Sequence, residues 1–436
     1  MRDFPVWPVV CVLATAVALG AVPRDSHVWP QWRGPFNTGM AAGDAPLRWD
    51  DATNVRWKLE IPGRGHSTPV IAGGRLFLTT ALPTGQRTAP AARERAGGGA
   101  DAGLEHRFDV IAVDRETGKI AWQRTVATTT PHEGYHRVYG SFASNSPATD
   151  GARVYAFFGS RGLYAFDLDG TLLWQKDFGV KMRMDLAFGE GTPLTLHEGR
   201  LLLHFDHLDL GFLVMLDAAT GREIWRTKRP EPYNWAAPFV ATWQGRREVV
   251  VNGLTVRGYD YDTGAQLWEA DGLGENTIPQ VVQHDDLIFA MSGHTVRRLM
   301  AIRLGGRGTL TGTTAIAWTT DRGAAYTPSP VIHDGRLYVV TDNGMVSCVD
   351  AETGTPHYQQ TRLPEPYSFK ASPVGAAGRL YLATEDEDVV VLRMGDRFEV
   401  LATNTLSGQS FIASPVIADG DIYLRSRTHL FRIGED

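Results

Sequence analysis

The chain has 436 residues, long enough for two or three ordinary domains, with 47 Gly, 10% aromatic residues and a formal net charge of −6. Its Lys and Arg residues are dispersed rather than clustered, which excludes the electrostatic footprint of a nucleic-acid binder. The two cysteines are Cys11 and Cys348, and the first falls in a predicted leader, so an internal disulfide framework is excluded as well.

The opening stretch, MRDFPVWPVVCVLATAVALGAVPRD, has one early Arg, an apolar core and small residues at Gly20 and Ala21, the pattern of a secretory signal. Its apolar run from Val6 to Val22 sits at the short edge of bilayer-spanning length. Residues 1–22 are therefore read as a signal peptide or an N-terminal anchor, and the protein as exported, to the periplasm or cell envelope. A lipoprotein signal needs a small residue before its Cys, but Val10 precedes Cys11, so lipidation is not expected. Residues 23–47 form an N-terminal segment, and 48–436 the folded region.

That folded region repeats one phrase: a short strand, an Asp-x-x-(Thr)-Gly turn, then Trp. It ends at Trp122, Trp174, Trp225 and Trp268, more loosely at Trp318, and at Tyr358 with Gly354 in register. Asp bonds its own backbone in such turns and Gly takes the positive φ that other residues avoid. Successive marks lie about 40 to 52 residues apart, the range of a four-stranded propeller blade. Trp57, Trp122, Trp174, Trp225, Trp268, Trp318 and Tyr358 are predicted to dock against neighbouring blades, and none is assigned to chemistry.

Each blade opens on a Pro-containing phrase: STPV at 67–70, NSPAT at 145–149, GTPL at 191–194, AAPFV at 236–240, TIPQVV at 277–282, PSPVI at 328–332, ASPV at 371–374 and ASPVI at 413–417. Second strands such as GRLFLTT and GRLYVVT follow each one. The expectation is an all-β, eight-bladed β-propeller of four-stranded antiparallel blades. The last blade lacks a fourth strand, and NVRWKLEI near the start, residues 54–61, is predicted to supply it and remove the free sheet edge. In VSCVD, Cys348 reads as strand packing.

Blade one is decorated. Residues 83–107, rich in Ala, Gly, Arg and Pro, read as a flexible loop. The link at 124–144 carries His132, Glu133, Tyr135, His136 and Tyr139. Both loops emerge on one face, so this rim is a candidate partner site, against a competing reading of neutral surface variation.

No HExxH, Cys-x-x-Cys, phosphate loop or Gly-x-Ser-x-Gly elbow is present. HFDHLDLG at 204–211 is the densest group of metal-type ligands, but nothing in the spacing fixes a geometry, and no metal or catalytic residue is assigned. The approaches to the inner strands converge at the central channel. They carry His66, Ser144, Asn145, Glu190, Asn234, Trp235, Asn276, Tyr326, Lys370 and Gln409. Of these, His66, Asn145, Glu190, Trp235, Asn276, Tyr326, Lys370 and Gln409 are the candidate ligand-binding set; a polar plug of the channel is the alternative.

The Ala-x-Asp-x-x-Thr-Gly-x-x-x-Trp phrase resembles the PQQ-like, quinoprotein-type repeat family of β-propellers over nearly all of residues 48–436. WPQWRGPFNTGMA at 29–41 resembles the start of many exported bacterial proteins of that class. The resemblance implies two directions. The quinoprotein alcohol dehydrogenases hold pyrroloquinoline quinone (PQQ) and calcium, and use an adjacent cysteine pair that this chain lacks. The propeller lipoprotein of the outer-membrane β-barrel assembly machine is a binding scaffold without cofactor. The expected function is a non-catalytic exported scaffold binding a cell-envelope protein, without cofactor. The alternatives are a PQQ- and calcium-dependent dehydrogenase or small-ligand sensor using the channel, and an extracellular polysaccharide-binding module stacking sugars on Tyr135, Tyr139 and Trp235.

Overall fold

The repeated turn owes its shape to one carboxylate. Asp114 Oδ1 accepts hydrogen bonds from Thr117 N (2.8 Å) and Thr117 Oγ1 (2.7 Å). The same pair of bonds recurs at Asp217 and Thr220, Asp260 and Thr263, and Asp350 and Thr353. Each turn joins the third and fourth strands of a blade, and eight such antiparallel sheets make up the disc. The structure, a computed structural model, describes residues 27–90 and 97–435; the predicted leader, residues 1–22, lies outside the described residues. No helix among the described residues is long and apolar enough to cross a membrane.

The ring closes as the sequence predicts. Strand Val55–Glu60 pairs antiparallel with His429–Ile433, Leu59 facing Leu430 and Lys58 facing Phe431, and so becomes the outer strand of the eighth blade. Five of the Pro-containing phrases have a second role at the channel wall, where the hydroxyl before the Pro (Thr68, Ser146, Ser329, Ser372 or Ser414) takes an amide from the preceding blade. Thr68 N donates to Ser146 Oγ (2.9 Å), Ser329 N to Ser372 Oγ (2.9 Å), Ser372 N to Ser414 Oγ (3.1 Å) and Ser414 N to Thr68 Oγ1 (3.1 Å). These bonds satisfy buried backbone groups that no strand partner reaches.

At the outer strands, the Trp side chains tie each blade to the next. The indole N–H groups of Trp57, Trp122, Trp174, Trp225 and Trp318 donate to Arg115, Leu168, Ala218, Tyr261 and Ala351 carbonyls respectively, at 2.9 to 3.2 Å. Each ring lies on the next blade's turn glycine: a Cβ added to Gly264 would stand 2.5 Å from Trp225 Cε3. Trp268 departs from the expected pattern. Its Nε1 donates to Glu248 Oε2 of its own blade (2.7 Å). The reason is an added edge: Gly308–Thr309 pairs in parallel with Gln266–Asp271, so this blade carries a fifth strand, and Trp243 covers Gly305 instead. Tyr358 meets the seventh blade through Phe398, ring centroids 5.8 Å apart.

The N-terminal segment is part of the disc. Trp29 bridges Ile71 in the first blade, Pro30 O accepts from Thr149 N in the second (2.8 Å), and Gln31 Oε1 from Leu196 N in the third (3.0 Å). Asn37 O accepts from Gln280 in the fifth (3.1 Å). Arg33, 1% exposed, donates to Pro330 O and Pro373 O of the sixth and seventh (2.9 Å each), and Trp32 Nε1 to Ser414 Oγ of the eighth (3.2 Å). One short segment therefore crosses the channel on the face opposite the rim loops. It has no repeat signature, which is why its role was invisible in the pattern.

The segment read as a loop at 83–107 is partly strand. Strand Arg75–Arg87 and strand Leu104–Asp114 extend the blade-one hairpin past its neighbours, and residues 91–96 lie outside the described residues.

Candidate functional site

The channel mouth opposite the N-terminal segment holds a cavity of about 330 Å³. It is built by the links between blades, where loop chemistry rather than strand alternation decides which side chains turn inward. The link after blade one folds over the disc. Ala100 and Tyr135 form a backbone bridge, Arg137 N donates to Gly97 O (2.7 Å), and His136 N donates to Phe188 O (3.1 Å). Glycine is required at this crossing, because a Cβ on Gly98 would collide with the Leu186 carbonyl.

Four of the eight channel candidates line this cavity: Glu190, Trp235, Tyr326 and Lys370. Trp235 is fixed by its N–H, which donates to Gly189 O (2.9 Å). Glu190 accepts from Ser160 N (2.5 Å) and faces Arg161 at 3.3 Å. Lys370 Nζ lies 3.4 Å from Asp342 and 3.9 Å from Glu385. Burial raises the Glu385 carboxyl, against the pull of Lys370 and Arg427, and burial pushes the Tyr326 phenol up to about 12.

The other four serve the wall. His66 bonds Gly140 O (3.2 Å), and burial, reinforced by Arg64, Arg425 and Arg427, holds its imidazole well below the usual histidine range. Asn145 donates to Thr192 O (2.7 Å), and Gln409 joins Ser407 O and Ser426 Oγ. Asn276 meets His294, a cavity residue, at 3.2 Å. Asn145 Oδ1 and Asn276 Oδ1 are buried without hydrogen-bond partners.

The rim set divides in the same way. Tyr135 is buried and donates to Asp101 Oδ2 (2.5 Å), His132 Nε2 lies 2.7 Å from Met182 O, and Glu133 accepts from Met184 N (2.9 Å). These three staple loop to loop. His136 and Tyr139, stacked 4.8 Å apart, face the cavity, so the rim and channel candidates meet in one place. Spacing alone could not show this, since it says nothing about the direction in which a link folds.

HFDHLDLG is an ion-pair network. Arg229 grips Asp206 through Nε (2.8 Å) and Nη2 (2.9 Å), Asn234 adds a third bond (2.6 Å), and all three are buried. Burial works to raise the Asp206 carboxyl, but Arg229 and His204 overcome it and hold the pKa below the usual range.

A calcium-held tricarboxylate quinone does not fit this donor set. Calcium takes six to eight oxygen ligands, whereas Glu190 is engaged by Arg161, and Asp342 accepts the amides of Tyr326 (2.9 Å) and Thr327 (3.2 Å). Among the described residues no three acidic, His or Cys side chains are grouped to hold a metal. Lys370 would face the anion with two carboxylates already beside it. Cys348 is buried in the sixth blade, where burial pushes its thiol up to about 12.

Comparisons with known proteins follow the architecture. A family model described as outer membrane protein assembly factor BamB matches residues 46–177, 162–304 and 307–409. A polyvinylalcohol dehydrogenase from a Pseudomonas species is 24% identical across 61% of this chain, and the chain spans 43% of that protein's length. BamB from Moraxella catarrhalis superposes with a TM-score of 0.54 at 13% identity, covering 82% of this chain and 97% of that one. Quinohemoprotein alcohol dehydrogenase from Comamonas testosteroni gives 0.61 at 11% identity, covering 94% and 81%. At these identities the solved structures share the fold alone.

Proposed function

This chain belongs to the family of outer membrane protein assembly factor BamB, and from that premise we propose that it is a non-catalytic scaffold that binds a protein partner in the cell envelope. The observation that carries this reading is an arc of exposed apolar side chains on the channel-mouth face. Val138, Tyr139, Leu186, Leu210, Leu254 and Val296 are each at least 36% exposed and lie in the loops of blades one to five. Exposed apolar side chains gathered on the loops of one face are a property of protein contact sites. Leu186 and Ala187 both hold φ of +51°, a strained backbone at one of these exposed side chains. Export to the envelope agrees with the apolar leader read at residues 6–22.

The test replaces Leu208 and Leu210, both exposed, with Asp in cells and follows the level of folded outer-membrane barrels by heat-modifiable mobility. Loss of folded barrels at normal levels of the variant supports the scaffold. Unchanged barrel assembly removes it.

The likeness to polyvinylalcohol dehydrogenase supports a second reading, a quinone-dependent dehydrogenase, against which the donor set of the channel counts. It requires a saturable, calcium-dependent response to PQQ, and a flat titration excludes it.

A further inference from the structure

The cavity at the channel mouth adjoins the apolar arc at Tyr139 and has a chemistry of its own. Its walls are aromatic: Trp235 and Tyr326 face it, with His136 and Tyr139 stacked on the rim side. Its charges come in neutralised sets. Lys370 stands between Asp342 and Glu385, and Glu190 stands against Arg161. A net anion or a net cation gains little from a site already balanced in this way. What remains is a set of flat faces edged by hydrogen-bonding groups of both polarities, in a volume near the lower end of the roughly 300–1,000 Å³ typical of small-ligand sites.

The wall behind the cavity carries a buried polar atom without a partner. Asn276 is 6% exposed, holds φ of +59°, and bonds cavity residue His294 through its amide nitrogen, yet its Oδ1 has no hydrogen-bond partner. Buried polar atoms are seldom left unsatisfied, and this one sits in the wall that carries His294 rather than in the cavity lining.

We infer that the channel mouth binds a small neutral saccharide, stacked on Trp235 and hydrogen-bonded at its edges by Lys370 and Glu190. A sugar ring offers an apolar C–H face to an indole and hydroxyls that both donate and accept, which matches balanced polar groups around aromatic walls. Tyr135, buried against Asp101, plays no part, and Tyr139 has one face stacked on His136 with Lys370 Nζ 4.6 Å from its centroid. The site is accordingly a pocket for a short sugar rather than a platform for a long polymer.

Gly191 supplies the test. It lines the cavity, and a Cβ there would meet only Ser144 Cβ at 3.4 Å and Trp235 Cδ1 at 3.6 Å, ordinary contacts. Gly191→Leu therefore fills the pocket without breaking the fold, which its unfolding midpoint checks. The full-length protein is titrated with maltose, cellobiose and chitobiose by calorimetry and Trp fluorescence. One of the three is expected to bind saturably, roughly tenfold or more weaker in Gly191→Leu and in Trp235→Ala, and near wild type in Trp235→Phe. No saturable binding at tens of millimolar, binding untouched by Gly191→Leu, or a preference for the planar aromatic probe 2-naphthol each overturns the inference. Because the scaffold reading is tested at Leu208 and Leu210, the two fail separately.

Discussion

Lys370 Nζ lies 4.6 Å from the ring centroid of Tyr139, so a side chain of the seventh blade holds the link between the first and second blades across the channel mouth. Arg427 of the eighth blade grips the same link, bonding Val138 O at 2.6 Å. A cation over an aromatic face contributes about 0.5–2 kcal/mol, more as it is desolvated.

Lys370→Met should therefore loosen the link without unfolding the disc. Hydrogen exchange of the His136–Gly140 amides is expected to rise by roughly 2- to 30-fold, the range implied by that energy. Tyr139→Phe, which keeps the ring, should exchange like wild type. Equal exchange in Lys370→Met would show that the contact holds nothing in place.

The N-terminal segment should behave as core. Trp29 is fully buried against Ile71, so Trp29→Ala is expected to cost about 3–5 kcal/mol in urea unfolding. Phe36, on the same segment but 43% exposed, provides the contrast: Phe36→Ser should stay within about 0.5 kcal/mol of wild type. A Trp29→Ala cost below about 1 kcal/mol would mean that the strap is dispensable to the disc.

What the sequence showed and what it hid divide along periodicity. Blade number, the closing strand at Val55–Glu60 and the Asp-Thr turns were legible because the same packing problem is solved eight times in similar words. The strap formed by residues 29–41 solves a problem that occurs once, so no repeat announces it. Trp268 looked like its neighbours, but the inserted Gly308–Thr309 edge gave its indole a different partner. For the site, Glu190, Trp235, Tyr326 and Lys370 were found because inner-strand approaches must converge. His66, Asn145 and Gln409 were placed with them because loop residues carry no alternation that would tell wall from lumen. His294 and Phe188 were missed for the same reason: they reach the cavity from a loop within a blade and from a long link.

Acid should weaken the fold through His66. Its folded-state pKa is depressed, chiefly by burial and then by Arg64, Arg425 and Arg427. In the unfolded chain it takes a proton near pH 6.5. Below that pH the unfolded state binds the extra proton, so stability present at neutral pH is lost as pH falls toward the native value. The slope attributable to one such group is about 1.4 kcal/mol per pH unit. Between pH 6.5 and 5.5, where the unfolded imidazole goes from half to nearly fully protonated, wild type should lose about 1 kcal/mol more than His66→Gln, and parallel curves in urea unfolding would contradict it.

The seam between blades can be isolated with two glycines in the same backbone conformation. Gly264 and Gly245 both hold φ of +73°, so alanine at either position meets the same left-handed strain, roughly 1–2 kcal/mol. Their surroundings differ. A Cβ at Gly245 meets nothing within 4 Å, while one at Gly264 would stand 2.5 Å from Trp225 Cε3 and 2.9 Å from Thr227 Oγ1. Trp225 cannot retreat freely, because its N–H is committed to Tyr261 O at 3.0 Å. Gly264→Ala should thus cost about 1–3 kcal/mol more than Gly245→Ala, the usual penalty for overpacking. The difference between the two unfolding free energies reads the contact between the third and fourth blades alone, since the backbone contribution cancels. Equal losses would mean that the Trp-on-glycine contact is soft, and that the indole hydrogen bonds carry the seams.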